Sequence, residues 1–65
     1  MKEQFKRLYN EVFDKDGNIK ACGRDTCKKL IDTANKIDNK TEYGNSKTGF
    51  MNTDNLKVLY SEINC

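Results

Sequence analysis

The sequence contains no histidine, no tryptophan and no proline. Without an imidazole it has no histidine general acid or base, no His-containing zinc site and no Ser-His-Asp or Cys-His nucleophile pair. Long apolar runs are missing as well. The longest is the triple Val58-Leu59-Tyr60, whereas a spanning helix needs about 20 consecutive apolar residues. The amino-terminal stretch from Met1 to Arg7 has positive charge but no apolar segment behind it. It does not read as a secretory signal, so the expected compartment is a reducing cytosol. An excess of one charge sign is also lacking. The 12 basic and 10 acidic side chains leave a net charge of +2, and no segment is a strong polycation that would demand a nucleic-acid partner. The 3 cysteines, Cys22, Cys27 and Cys65, are an odd set, unlike the even sets of small disulfide scaffolds.

What is present is lysine and asparagine in quantity, a mixture that coding from AT-rich genomes produces and that bacteria of low GC content and their phages share. The chain has 65 residues, 35% of them hydrophobic. That is one domain at most, with a thin core and a net stability of about 3–5 kcal/mol unless a staple or partner adds to it.

Three segments carry a helical period. From Lys2 to Phe13, the residues Phe5, Leu8, Tyr9, Val12 and Phe13 fall on one stripe, and Lys2, Glu3, Lys6, Arg7, Asn10 and Glu11 on the other. A second helix is expected to start near Gly23 or Asp25, with Cys27, Leu30, Ile31, Ala34 and Ile37 as its stripe, and to fade at Asp38-Asn39-Lys40. Asp25 is a candidate acceptor for the orphan amides at its start. A third runs from about Thr53 to Ile63, capped by Asn52 or Thr53, with Leu56, Leu59, Tyr60 and Ile63 facing inward and Val58 off the stripe. Ile19, Ala21 and Cys22 read as a connector that dips onto the core. Residues 38–51 show no period, with Gly44 and Gly49 bracketing a turn and Tyr43, Phe50 and Met51 available to pin the segment. Three apolar stripes must close over one another. The expected fold is therefore all-α, a single small three-helix domain with a structured loop between helices 2 and 3. Short strands at Asn18–Cys22 and Tyr43–Phe50 are the competing reading, and neither segment shows clear alternation.

Four clusters bear on chemistry. Asp14-Lys15-Asp16-Gly17-Asn18 follows the first helix and resembles the opening of an EF-hand calcium loop. The resemblance implies Asp14, Asp16 and Asn18 as oxygen ligands at the first, third and fifth loop positions and Asp25 at the twelfth. The sequence departs from that pattern: Ile19 stands where the loop needs its invariant glycine, and Gly17 comes early. The alternative is an Asp/Asn/Gly turn that needs no metal. Cys22 and Cys27 lack the ligand partners of a zinc site and the short spacing of a redox pair, so Cys27 reads as a small core residue. Gly44-Asn45-Ser46-Lys47-Thr48-Gly49 has the residue types of a phosphate loop in the wrong order. Lys29, Thr33, Lys36 and Lys40, with Arg24 and Lys28 nearby, line the polar side of the second helix as a DNA-recognition helix would, although Asp25 and Asp32 share it.

No carboxylate sits in a context apolar enough to raise its pKa for acid catalysis, and so small a domain has little room for a pocket. The function expected is non-enzymatic and without a cofactor: a helical protein–protein interaction module, in the style of a phage or mobile-element accessory or virion protein, that docks on a larger protein. Its contact residues would be Tyr43, Phe50 and Met51, since apolar side chains left outside a thin core mark partner sites. The alternatives are nucleic-acid binding through Lys29, Thr33, Lys36 and Lys40, and a degenerate calcium site.

Overall fold

The computed structural model describes residues 2–20 and 23–64. Its elements in chain order are α1 (Lys2–Val12), α2 (Arg24–Ile37), β1 (Gly44–Asn45), β2 (Phe50–Met51) and α3 (Thr53–Asn64). The helices occupy the periodic segments. α1 buries Phe5, Tyr9 and Val12, and Phe13 is buried just past its end. α2 buries Leu30, Ile31, Thr33 and Ala34, and α3 buries Leu56 and Leu59. Leu8, Ile37, Met51, Tyr60 and Ile63 pack around this core half-buried. α1 lies chiefly against α2, and α3 closes the remaining side. Cys27 is half-buried on the α2 stripe, and Val58 is exposed. Cys22 and Cys65 lie outside the described residues.

Asn52 caps α3. Its side-chain Oδ1 accepts the amide of Asn55 at 3.3 Å, and its carbonyl accepts the amide of Leu56 at 3.1 Å. Such a cap contributes about 1 kcal/mol. The start of α2 is different. Gly23 is the capping residue and supplies no side-chain bond, while Asp25 sits exposed in the first turn. There it complements the positive end of the helix dipole without capping it.

The domain is mostly helical rather than purely α. β1 and β2 pair antiparallel, Gly44 opposite Met51 and Asn45 opposite Phe50. A further isolated bridge joins Phe13 to Ile19. Both pairings come from turn chemistry rather than from alternation, which two-residue strands cannot display. In the first turn, Asp14 Oδ1 accepts the amides of Asp16 and Asn18, each at 2.9 Å. The amide of Gly17 donates to the Asp14 carbonyl at 3.0 Å, and that of Asp14 to the Asn18 carbonyl at 2.9 Å. Gly17 has a φ of 83°. This is a three-residue hairpin loop, a tight turn completed by a left-handed glycine. It explains why glycine comes too early for a calcium loop. Ile19 consequently pairs through its backbone and leaves its side chain 54% exposed rather than dipping inward.

The second hairpin repeats the device with one more residue. Asn45 Oδ1 accepts the amide of Lys47 at 2.8 Å, and the Asn45 carbonyl accepts that of Gly49, also at 2.8 Å. Gly49 has a φ of 81°.

Between α2 and this hairpin, Asp38 ties the chain down. Its carboxylate accepts the Lys40 amide at 3.0 Å on Oδ1, and on Oδ2 it accepts the Thr41 hydroxyl at 3.0 Å and the Tyr43 hydroxyl at 2.9 Å. The Lys40 amide, then the Tyr43 and Thr41 hydroxyls, hold its carboxyl below the ordinary aspartate value. A carboxyl lowered on folding stabilises the native state above its unfolded pKa, and that contribution fades as pH falls through the lowered value. Tyr43→Phe removes one donor and leaves the ring in place. The variant is expected to melt below the wild type near neutral pH and to converge with it in strong acid. The Asp38 carboxyl resonance should titrate at a higher pH than in the wild type. Parallel melting curves at both pH extremes would contradict the bond's role.

Candidate partner-docking site

Neighbouring strand residues point to opposite faces, so Met51 packs on the core and Phe50 points outward. Phe50 is 74% exposed, more than the other large exposed apolar side chains, Ile19 at 54% and Val58 at 57%. It is not on a loose loop. Its amide donates to Thr48 Oγ1 at 3.3 Å, its neighbour Met51 packs on the core, and the Asn52 amide donates to the Tyr43 carbonyl at 2.9 Å.

The hairpin turn rests on the flank of α2. A Cβ added to Gly49 would stand 2.9 Å from Arg24 Cγ, so the aliphatic stem of Arg24 lies against the residue preceding Phe50. Ser46 borders an open depression of about 280 Å³ together with Lys28, Lys29 and Asp32. Arg24 and Lys28 are four apart and share the flank that meets the turn. Lys47 adds an exposed cation from the turn itself. Among the described residues the one ion pair joins Lys36 to Asp32 at 3.5 Å. It engages none of Arg24, Lys28 and Lys47.

The residues singled out in the sequence are distributed as follows. Tyr43 is 2% exposed, a member of the core with its hydroxyl on Asp38, so its ring is withdrawn from any surface contact. Burial, and then the bond to Asp38, push its phenol pKa up. Met51 is half-buried, and Phe50 stands out.

The basic set on α2 is not one face. Thr33 is buried and bonds its hydroxyl to the Lys29 carbonyl at 2.8 Å. Lys40 lies beyond the end of α2, in the turn held by Asp38. Lys29 and Lys36 do share the exposed ridge, but Asp25 and Asp32 alternate with them along it.

Nor does the calcium set assemble. Asp14 is occupied by backbone amides, and no group of three or more potential His, Cys, Asp or Glu ligands occurs among the described residues. Asp14, Asp16, Asn18 and Asp25 are all exposed. Lys47 and Asp38 were not legible as site or anchor. The signal for Lys47 is its place inside the Asn45–Gly49 turn, which meets α2 only once the hairpin closes. No described helix is long and apolar enough to cross a membrane.

Comparison with known proteins finds no matching family model, no matching curated protein and no matching solved structure. The functional reading therefore stands on this chain's own geometry.

Proposed function

We propose that the chain is a non-enzymatic interaction module that docks on a larger protein through the β2 side of its second hairpin, with Phe50 as the anchor. The observation that carries this is the 74% exposure of Phe50 on a backbone fixed at both ends. Fully burying a phenylalanine is worth roughly 1.5–3 kcal/mol. In this domain that gain is left unused by the fold. Aromatic and arginine side chains also dominate the energetic centres of protein interfaces, and Arg24 borders the same turn. An ordinary interface covers about 800 Å² on each partner, a substantial part of the 4568 Å² this domain exposes. The lysine- and asparagine-rich composition supports a place among phage or mobile-element accessory or virion proteins, and the proposed place of action is the cytoplasm.

The test places a photo-crosslinking phenylalanine analogue at position 50 and irradiates it in a lysate of the source organism. The expected result is one protein adduct that excess unlabelled chain competes away. Phe50→Ala should reduce that competition at least tenfold. Because the side chain is exposed, its loss should change stability by no more than about 0.5 kcal/mol. Labelling that unlabelled chain does not compete, or competition unaffected by Phe50→Ala, would remove the proposal.

A further inference from the structure

Building on the docking role of Phe50, we infer that its partner is an acidic protein segment, one that sets carboxylates around an apolar side chain or pocket. Phe50 follows a turn whose surroundings are cationic. Arg24 lies against Gly49, Lys28 and Lys29 border with Asp32 the depression shared with Ser46, and Lys47 is in the turn, so cations outnumber the carboxylate there. None of Arg24, Lys28 and Lys47 joins an ion pair among the described residues. A predominantly cationic border beside an apolar anchor steers a negatively charged partner and rejects a positive one.

The same features disfavour a nucleic acid. Single-stranded binders combine a continuous cationic groove with several aromatic stacking platforms. Here Phe50 is the one large exposed aromatic among the described residues, Ile19 and Val58 being aliphatic. The neighbouring ridge of α2 alternates Asp25, Lys29, Asp32 and Lys36, which offers phosphates repulsion at every second step. A protein segment needs no such rail, and its own lysines can meet Asp25 and Asp32.

Amide chemical shifts of the full chain, titrated with three probes, test this. The probes are a ten-residue peptide alternating Glu and Leu, the matching Gln and Leu peptide, and a ten-residue oligothymidylate. The acidic peptide is expected to shift the amides of Arg24, Lys28, Ser46, Lys47 and Phe50. Its binding should weaken with salt, as exposed charge pairs do. It should bind at least tenfold tighter than the neutral peptide. The triple variant Arg24→Gln, Lys28→Gln, Lys47→Gln removes the three charges, keeps each Cβ and Cγ, and should lose at least tenfold in affinity, with its fold verified by the unperturbed amides of α1.

Equal binding of the neutral peptide, shifts located elsewhere, no shifts at all, or tighter binding of the oligothymidylate at these amides would each overturn the inference. The last outcome would assign the site to nucleic acid. If the adduct at position 50 forms equally well with the triple variant, docking through Phe50 survives and the acidic partner does not. If no specific adduct forms, docking itself fails.

Discussion

Gly44→Ala is expected to abolish the second hairpin and to lower the melting temperature by well over ten degrees. The backbone at Gly44 has a φ of 128°, and a Cβ built there would stand 2.2 Å from the Phe50 carbonyl oxygen and 2.9 Å from Met51 Cα. The backbone strain alone costs about 1–3 kcal/mol. The overlap adds to it, because both clashing atoms belong to the paired strand and cannot rotate away. Gly44 also lies between two core contributors, Tyr43 and Met51. Prising β1 from β2 therefore loosens the seal that both give to the helices. A domain of this size has about 3–5 kcal/mol to lose, and each kcal/mol moves the melting point of a 60–100-residue domain by roughly 4–8 °C.

Gly17→Ala is the control. Its φ is also positive, at 83°, but the nearest atom to a new Cβ is Lys57 Nζ at 3.7 Å, the end of a flexible side chain. It should show the strain without the clash, a loss of about 1–3 kcal/mol. Thermal unfolding followed by circular dichroism ranks the two. If Gly44→Ala melted no lower than Gly17→Ala, the close approach of the two strands would not exist in solution.

The same glycines show why the sheet is scarcely legible in the sequence. Helices announce themselves over several turns. In α1 the spacing of Phe5, Tyr9 and Val12 settles the face because each added residue repeats the test. β1 and β2 are two residues each, too short for alternation to separate them from a loop. What determines the hairpin is the Asx turn at Asn45 and the left-handed Gly49, and their sequence signature is shared by loops of many shapes. The turn at Asp14 gave a sharper clue, since the misplaced glycine that spoils a calcium loop is what a three-residue hairpin requires.

The site divides along the same line. Tyr43, Phe50 and Met51 are alike in composition and close in sequence, yet one is in the core, one is half-buried and one is exposed. Only the pairing register and the bond from Tyr43 to Asp38 separate them. Both depend on the chain folding back on itself, which no local pattern encodes. The turn that carries Lys47 meets the flank of Arg24 and Lys28 for the same reason.

Tyr9→Ala is expected to leave the chain largely unfolded at room temperature, with loss of the cooperative melt and most of its helical dichroism. Tyr9 is the hub of the aromatic cluster. Its ring stacks on Tyr60 with centroids 4.0 Å apart and planes 9° from parallel, stacks on Phe13 at 4.4 Å, and tilts against Phe5 at 6.1 Å. The stack on Tyr60 ties α1 to α3, and truncating Tyr9 opens a cavity between them. Buried aromatic-to-alanine changes cost about 3–5 kcal/mol in all, a total that includes about 0.5–1.5 kcal/mol for each ring pair lost. That total matches the whole net stability of about 3–5 kcal/mol expected for so small a domain.

Tyr9→Phe separates the ring from its hydroxyl. Burial, and then the nearby Tyr60 phenol, raise the pKa of Tyr9. A phenol raised on folding stabilises the native state below its unfolded pKa, and that contribution is lost as pH rises through the raised value. Ionising Tyr9 at high pH thus drives unfolding, and a phenylalanine cannot ionise. Tyr9→Phe should keep the neutral-pH melt close to wild type and move the alkaline unfolding midpoint upward, with Tyr43, also raised by burial, left to set the remaining transition. If Tyr9→Ala still melted cooperatively within a few degrees of the wild type, the ring cluster would not be what joins α1 to α3.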